Sequence, residues 1–196
     1  NASLEIGQGA LQPNPATQAI AFDDAKAYFT YDPVRDSISF SELSLQTEWG
    51  SLRADGDAYL REFSDGLPRA LLAQFQLSDV ALNPPGFYET PPQIPQAAVD
   101  LRLRFDPFSV EIGQAIVTDG DTRVTADGAV SATDAGWRIA FDAHVDSIAP
   151  ERFIGFWPLS MKPRTRQWIS NILSEGRLEN INAGFRRAPE RAAQFA

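Results

Sequence analysis

A single histidine, His144, and no cysteine at all limit the chemistry open to this chain. Without thiols there is no disulfide framework, no thiolate metal site and no cysteine nucleophile. One imidazole excludes a multi-histidine metal site and leaves His144 as the lone side chain for histidine-dependent acid–base work. It sits on the polar side of the alternating run Trp137-Arg-Ile-Ala-Phe-Asp-Ala-His-Val145, with no serine or acid in a recognised motif around it. It therefore reads as a surface or partly covered structural histidine. Asp119-Gly-Asp121 lacks the further oxygen ligands and terminal acid of a calcium loop and reads as a polar hairpin turn. Asp23-Asp24 and Asp55-Gly-Asp57 are paired acids that nothing places around a sugar; they read as solvating strand ends and exposed faces. Gly7, Gly9 and Gly50 make no phosphate-binding loop. No catalytic residue, metal or cofactor is expected.

The elements that position these residues are announced by composition and period. The chain has 196 residues, 43% of them hydrophobic, enough for a sizeable core. Its net charge of −9 is uneven: residues 1–149 hold 22 acids and 9 bases (−13), residues 150–196 hold 4 acids and 8 bases (+4). An acidic body argues against nucleic-acid binding, which needs a basic footprint. The basic end reads either as a solvated surface or as a contact for anionic lipid or an acidic neighbour. No apolar run approaches the roughly 20 residues of a membrane helix.

An internal repeat organises the chain. Ile38-Ser-Phe-Ser-Glu-Leu-Ser-Leu-Gln-Thr47 matches Val110-Glu-Ile-Gly-Gln-Ala-Ile-Val-Thr-Asp119, and Leu52-Arg-Ala-Asp-Gly-Asp57 matches Val124-Thr-Ala-Asp-Gly-Ala129. Both pairs are offset by 72 residues (110 − 38 and 124 − 52). Leu4-Glu-Ile-Gly-Gln8 is a third, partial copy of the segment from Val110, and Tyr31-Asp-Pro33 echoes Phe105-Asp-Pro107. Within the repeats, apolar residues alternate with polar ones: Leu52, Ala54, Gly56, Ala58 and Leu60; Leu71, Ala73, Phe75 and Leu77; Leu101, Leu103 and Phe105; Trp137, Ile139, Phe141, Ala143 and Val145. Period two with one apolar face predicts half-buried antiparallel strands. The apolar phase slips between Phe40 and Leu43, between Ile112 and Ala115, and between Ile6 and Leu11. A bulge or bend there would curve the sheet.

Asp32-Pro33, Asp106-Pro107 and Asp134-Ala-Gly136 mark turns. Residues 83–96 hold five prolines and read as an extended loop between repeat units around 31–82 and 103–146. After residues 1–149 the pattern changes. Pro150 opens a short helix through Phe153, Phe156 and Trp157, and Pro158 stops it. Pro163 opens a second helix, about 163–174, with Trp168, Ile169, Ile172 and Leu173 on one stripe and Gly176 as its cap. Leu178 to Phe185 returns to strand patterning, closing the 150–187 segment; 188–196 reads as a tail. The predicted fold class is mainly β: a curved, groove-like antiparallel sheet of repeated strand units, with one or two short helices near the C-terminus.

Phe156-Trp-Pro158, then Pro163-Arg-Thr-Arg-Gln-Trp-Ile169, then Asn171-Ile-Leu-Ser-Glu-Gly176 and a short strand to Phe185, resembles a block of the AsmA-like envelope proteins of Gram-negative bacteria, close to their YhdP-like and TamB-like groups. Thr47-Glu-Trp-Gly50 and the strand patterns around Gly56 and Gly128 are similar to that family as well. The resemblance implies a groove-forming sheet with an apolar concave surface in a mostly periplasmic, inner-membrane-anchored protein that moves phospholipid between membranes. The anchor is expected outside these residues, and neighbouring parts of a longer chain are expected partners. No catalytic motif comes with the family.

Taken alone, the apolar faces read as core against a second layer; with the resemblance, an open groove for acyl chains is an equal reading. The expected function is thus non-catalytic binding or conduction of phospholipid or other acyl lipid along Phe75, Leu77, Leu101, Leu103, Trp137, Ile139 and Phe141. The alternatives are a ligand-free structural module whose edges dock neighbouring repeats or a protein, and a carbohydrate-binding or hydrolytic β domain.

Overall fold

A computed structural model of the chain describes residues 1–47, 50–82, 88, 92–159, 162–173 and 175–188. Among them the chain forms β1 (Ala2–Ile6), β2 (Gly9–Leu11), β3 (Ile20–Phe22), β4 (Asp24–Asp32), β5 (Ser37–Thr47), β6 (Gly50–Ser64), β7 (Leu67–Leu82), β8 (Gln93–Phe105), β9 (Phe108–Asp119), β10 (Thr122–Thr133) and β11 (Gly136–Ile148). Two helices follow, α1 (Pro150–Phe156) and α2 (Pro163–Ile172), and β12 (Leu178–Arg187) ends the fold. Ten strands make one open antiparallel sheet in the order β1-β4-β5-β6-β7-β8-β9-β10-β11-β12, while β2 and β3 pair as a separate hairpin. The mainly β, unclosed sheet with two short C-terminal helices agrees with the strand periodicity.

The repeat is structural. In β5, Phe40 pairs with Gly56 and Leu43 with Ala54, so Ser41 and Glu42 together oppose Asp55. In β9, Ile112 pairs with Gly128 and Ala115 with Ala126, so Gly113 and Gln114 oppose Asp127. These are bulges at the same repeat position, and each explains the slip of apolar phase. The third slip has another outcome: after Ile6 the chain leaves the large sheet and forms the β2–β3 hairpin, which the alternation did not reveal.

Each repeat also places an aromatic ring over its glycine. A Cβ on Gly56 would lie 2.1 Å from Gln74 O and 3.0 Å from Phe75 Cδ1, and the residue has φ +148°. A Cβ on Gly128 would lie 2.4 Å from both Ala140 O and Phe141 Cδ1. The missing side chains let Phe75 and Phe141 lie down on the neighbouring strand, the pairing by which aromatics cover exposed glycines in sheets.

Two boundaries differ from the sequence expectation. Strand β8 begins at Gln93, inside the segment expected to be loop, and includes Pro95. Ser78 pairs with Gln96 and Val80 with Ile94, leaving Pro95 opposite Asp79, whose φ of 52° takes it out of extended geometry. A residue without an N–H is tolerated at such an irregular point. The rest of the expected loop (apart from Tyr88 and Pro92), Glu48-Trp49 and residues 189–196 of the tail lie outside the described residues. Helix α2 ends at Ile172 with Leu173 as its cap, and Gly176 (φ 100°) instead serves the turn into β12.

The glycine seats lead to a measurable contrast. Gly128→Ala should lower stability by about 1–3 kcal/mol through overpacking against Phe141. Gly113→Ala, whose nearest neighbour would be Asp100 O at 3.9 Å, should change it by less than about 0.5 kcal/mol. Urea unfolding midpoints of the two variants test this, and equal losses would remove the packing role assigned to the glycine.

Candidate lipid-facing trough

Register decides which residues share a face, because directly paired residues of an antiparallel ladder point the same way. Phe75 pairs with Val99 and Gly56, and Leu77 with Ala97 and Ala54. Leu101 pairs with Ala73 and Ile112, and Leu103 with Leu71 and Val110. Across β10, Gly128 joins Ile112 to Phe141, Val130 joins Val110 to Ile139, and Ala132 meets Trp137. All seven residues singled out from the sequence therefore stand on one face. That face runs on through Phe40, Phe29 and Leu4 to one edge and through Ala183 and Phe185 to the other.

This face is bent inward. Asp23 N–H donates to Gln46 O at 2.8 Å, near the end of β5. Five residues earlier, Gln18 O accepts a 2.7 Å bond from Trp137 Nε1, at the opposite end of the strands and on β11. Five residues reach at most about 18 Å. On a flat sheet β5 and β11 are six spacings apart, roughly 29 Å, and strands of about ten residues add roughly 33 Å along their length, so the anchors would stand about 44 Å apart. That exceeds what the chain and one indole can span together. The sheet must fold around the side that carries Trp137, which is the apolar side. Asn14 Nδ2 adds a second link, to Thr133 O at 3.3 Å. The segment 14–23, which includes β3, is thus a strap crossing the mouth of an apolar trough.

Among the described residues the only further sheet is the two-stranded β2–β3 hairpin at the strap, and no broad second layer packs on the trough. Among the described residues, strand-to-neighbour pairing aside, substantial packing between elements is confined to α1 on α2 and β3 on β5. The helices meet the sheet at its end, where Arg152 pairs with Asp119 and Arg177 donates to Ser147 Oγ at 2.6 Å. The buried apolar residues are mostly small, Ala54, Ala58, Ala70, Ala73, Ala97, Val99 and Ala132 among them. All seven predicted side chains are only half-buried. Aromatic contacts line both walls: Phe29 to Phe40 and Phe40 to Phe75 at 5.8 and 5.7 Å between centroids, and Phe108 edge-on to Trp137 at 6.0 Å.

The outer face is polar. Arg104 on β8 joins Glu62 of β6 and Glu111 of β9 at 3.3 and 3.1 Å, and the hydrogen bond and charge of Glu62, then those of Glu111, push its guanidinium pKa up. Gln74 donates to Asp100 at 3.2 Å and Arg53 pairs with Asp79 at 3.8 Å. Such exposed pairs add little stability each, but together they make the convex side hydrophilic. His144 belongs to this side. Its Nδ1 faces Asn182 Oδ1 at 2.9 Å and its Nε2 faces Asp146 Oδ1 at 3.1 Å, beside a depression of about 510 Å³ that Thr125, Asp127 and Asp142 also line. Both ring nitrogens are engaged by side-chain oxygens, so neither is turned toward the Thr125 hydroxyl. Asp119-Gly-Asp121 is a hairpin turn with Gly120 at φ 57°. Asp55 and Asp57 lie on the polar face, Asp57 accepting from Ser39 Oγ at 2.5 Å.

Comparison of the chain with family models, with curated proteins and with solved structures finds no match.

What sequence reasoning missed is the strap, because its partners lie 119 residues away. Trp137→Phe keeps the ring and removes the donor. It should cost about 1 kcal/mol and raise amide exchange in residues 18–22 while leaving β8 and β9 protected. Unchanged exchange in 18–22 would mean that the indole does not anchor the strap.

Proposed function

We propose that the trough binds the acyl chains of phospholipid or another lipid, as a non-catalytic segment of a longer AsmA-like envelope protein that is anchored in the inner membrane and works in the periplasm. The observation that carries this is the continuous apolar concave face, ten strands wide and left half-open. Burying a hydrocarbon tail yields about 0.8 kcal/mol per CH₂ and needs no reactive group. A face of mixed Leu, Ile, Val, Ala and Phe offers tails a track of uniform character, and the polar convex side and rim suit headgroups and water. Nine strand spacings give about 43 Å of contour across the curved sheet, enough for one section of a conduit. The block from Phe156 to Phe185 supports the family assignment through its Pro-opened helices and returning strand.

A second reading draws on the sheet edges. Among the described residues, strands β1 and β12 are bounded on one side only. The sheet holds an even number of strands, so the two edges run in opposite directions, and a neighbouring segment could continue the antiparallel order at either. In this reading the module is structural and the trough stays empty.

Site-specific photo-crosslinking separates the two. A photoreactive residue at Leu101, Ile139 or Phe141 should give lipid adducts in cells, and one at Asp100, Arg102 or Arg138 on the convex face should not. Adducts absent from all trough positions, or equal from both faces, would end the lipid proposal and leave the structural one.

A further inference from the structure

Helix α2 exposes a ridge that the trough does not account for. Residues four apart share a helix face, and Arg164, Trp168 and Ile172 follow that spacing. Trp168 is 59% exposed and Ile172 56%, while Ile169, Leu173 and Arg166 on the other side are half-buried. The stripe expected from sequence is therefore split: Ile169 and Leu173 turn inward, and Trp168 and Ile172 are left in water. No residue of α2 is buried.

Charge points to what meets this ridge. From Lys162 to Leu173 the chain has three cations (Lys162, Arg164 and Arg166) and no acid. Among the described residues neither Lys162 nor Arg164 has an ion-pair partner. The cations also crowd the first turn of the helix, which has no acidic residue and whose dipole is itself positive. An external negative surface would relieve this arrangement. An indole and an aliphatic side chain in line behind a guanidinium match the interface of a bilayer, where tryptophan sits at headgroup depth and arginine reaches phosphate. The acidic body, at −13 over residues 1–149, would be held away from such a surface, orienting the protein with its helical end toward it.

We infer that the Arg164–Trp168–Ile172 ridge of α2, with Lys162, docks this end of the protein onto an anionic phospholipid surface. This surface contact is separate from tail binding in the trough and requires no lipid extraction. Each cation near an anionic leaflet contributes about fivefold to partitioning.

The test is sedimentation with phosphatidylcholine vesicles with and without about 30% phosphatidylglycerol, which makes the vesicle surface negative. Binding is expected to the anionic vesicles only and to fall with added salt. Lys162→Gln with Arg164→Gln should weaken it roughly 25-fold, and Trp168→Ser with Ile172→Ser should abolish it. Circular dichroism checks that both variants stay folded, and the charge variant tests the proposal should the apolar one misfold. Equal binding to neutral vesicles, binding indifferent to both variants, or no binding at all would overturn it. So would a Trp168-dependent dimer in sedimentation velocity, which would assign the ridge to a second copy. Crosslinking in the trough should be the same in these α2 variants when lipid is supplied as soluble monomer, so either claim can fail alone.

Discussion

The constraint on which this structure depends is that the ten-stranded sheet has an apolar side and, among the described residues, only the small β2–β3 hairpin rather than a second sheet of its own size to cover it. A β-sandwich removes such a face from water by packing another sheet on it. Here the sheet removes part of it by bending, so that aromatic rings two strands apart, Phe40 with Phe75 and Phe108 with Trp137, meet on the inside of the bend. Along the trough, small residues such as Ala54, Ala58, Ala73, Ala97 and Ala132 are buried, while the seven large side chains named above are only half-buried. The residual exposure follows from having one layer, and it is also what leaves room for a hydrocarbon guest.

Curvature is built from a small kit used twice. Each repeat has one extra residue, Ser41 or Gly113, that breaks the ladder and re-aims the strand. Each has a glycine on the next strand, Gly56 or Gly128, on which the aromatic of the following strand lies. The bulge bends the backbone, and the glycine gives the ring somewhere to go on the inside of the bend, where side chains crowd. The strap from Asn14 to Asp23 then ties β5 to β11 across the opening.

The polar chemistry is arranged to keep the convex side wet. Arg104 with its two glutamates, Gln74 with Asp100, and His144 between Asn182 and Asp146 are cross-strand or same-strand pairs on an exposed surface. They bias the direction of bending, since the apolar face is the one that gains by closing. On the proposed function, side-chain character rather than reactivity does the work: one side of the ribbon for tails, the other for water, and the α2 ridge for a charged surface.

Most strands (β4 and the β2–β3 hairpin excepted), the bulges at Ser41 and Gly113, the shared face of Phe75, Leu77, Leu101, Leu103, Trp137, Ile139 and Phe141, and the two proline-opened helices were legible in the linear chain. Each is a local matter of period two, a phase slip, or a residue lacking an N–H. The sense of the bend, the strap across it, the strand through Pro95 and the outward turn of Trp168 and Ile172 were not. They depend on contacts between segments as much as 119 residues apart, and on whether a second element happens to cover an apolar stripe. Alternation states that a face shuns water; only the folded arrangement decides how much of that face the protein covers by itself.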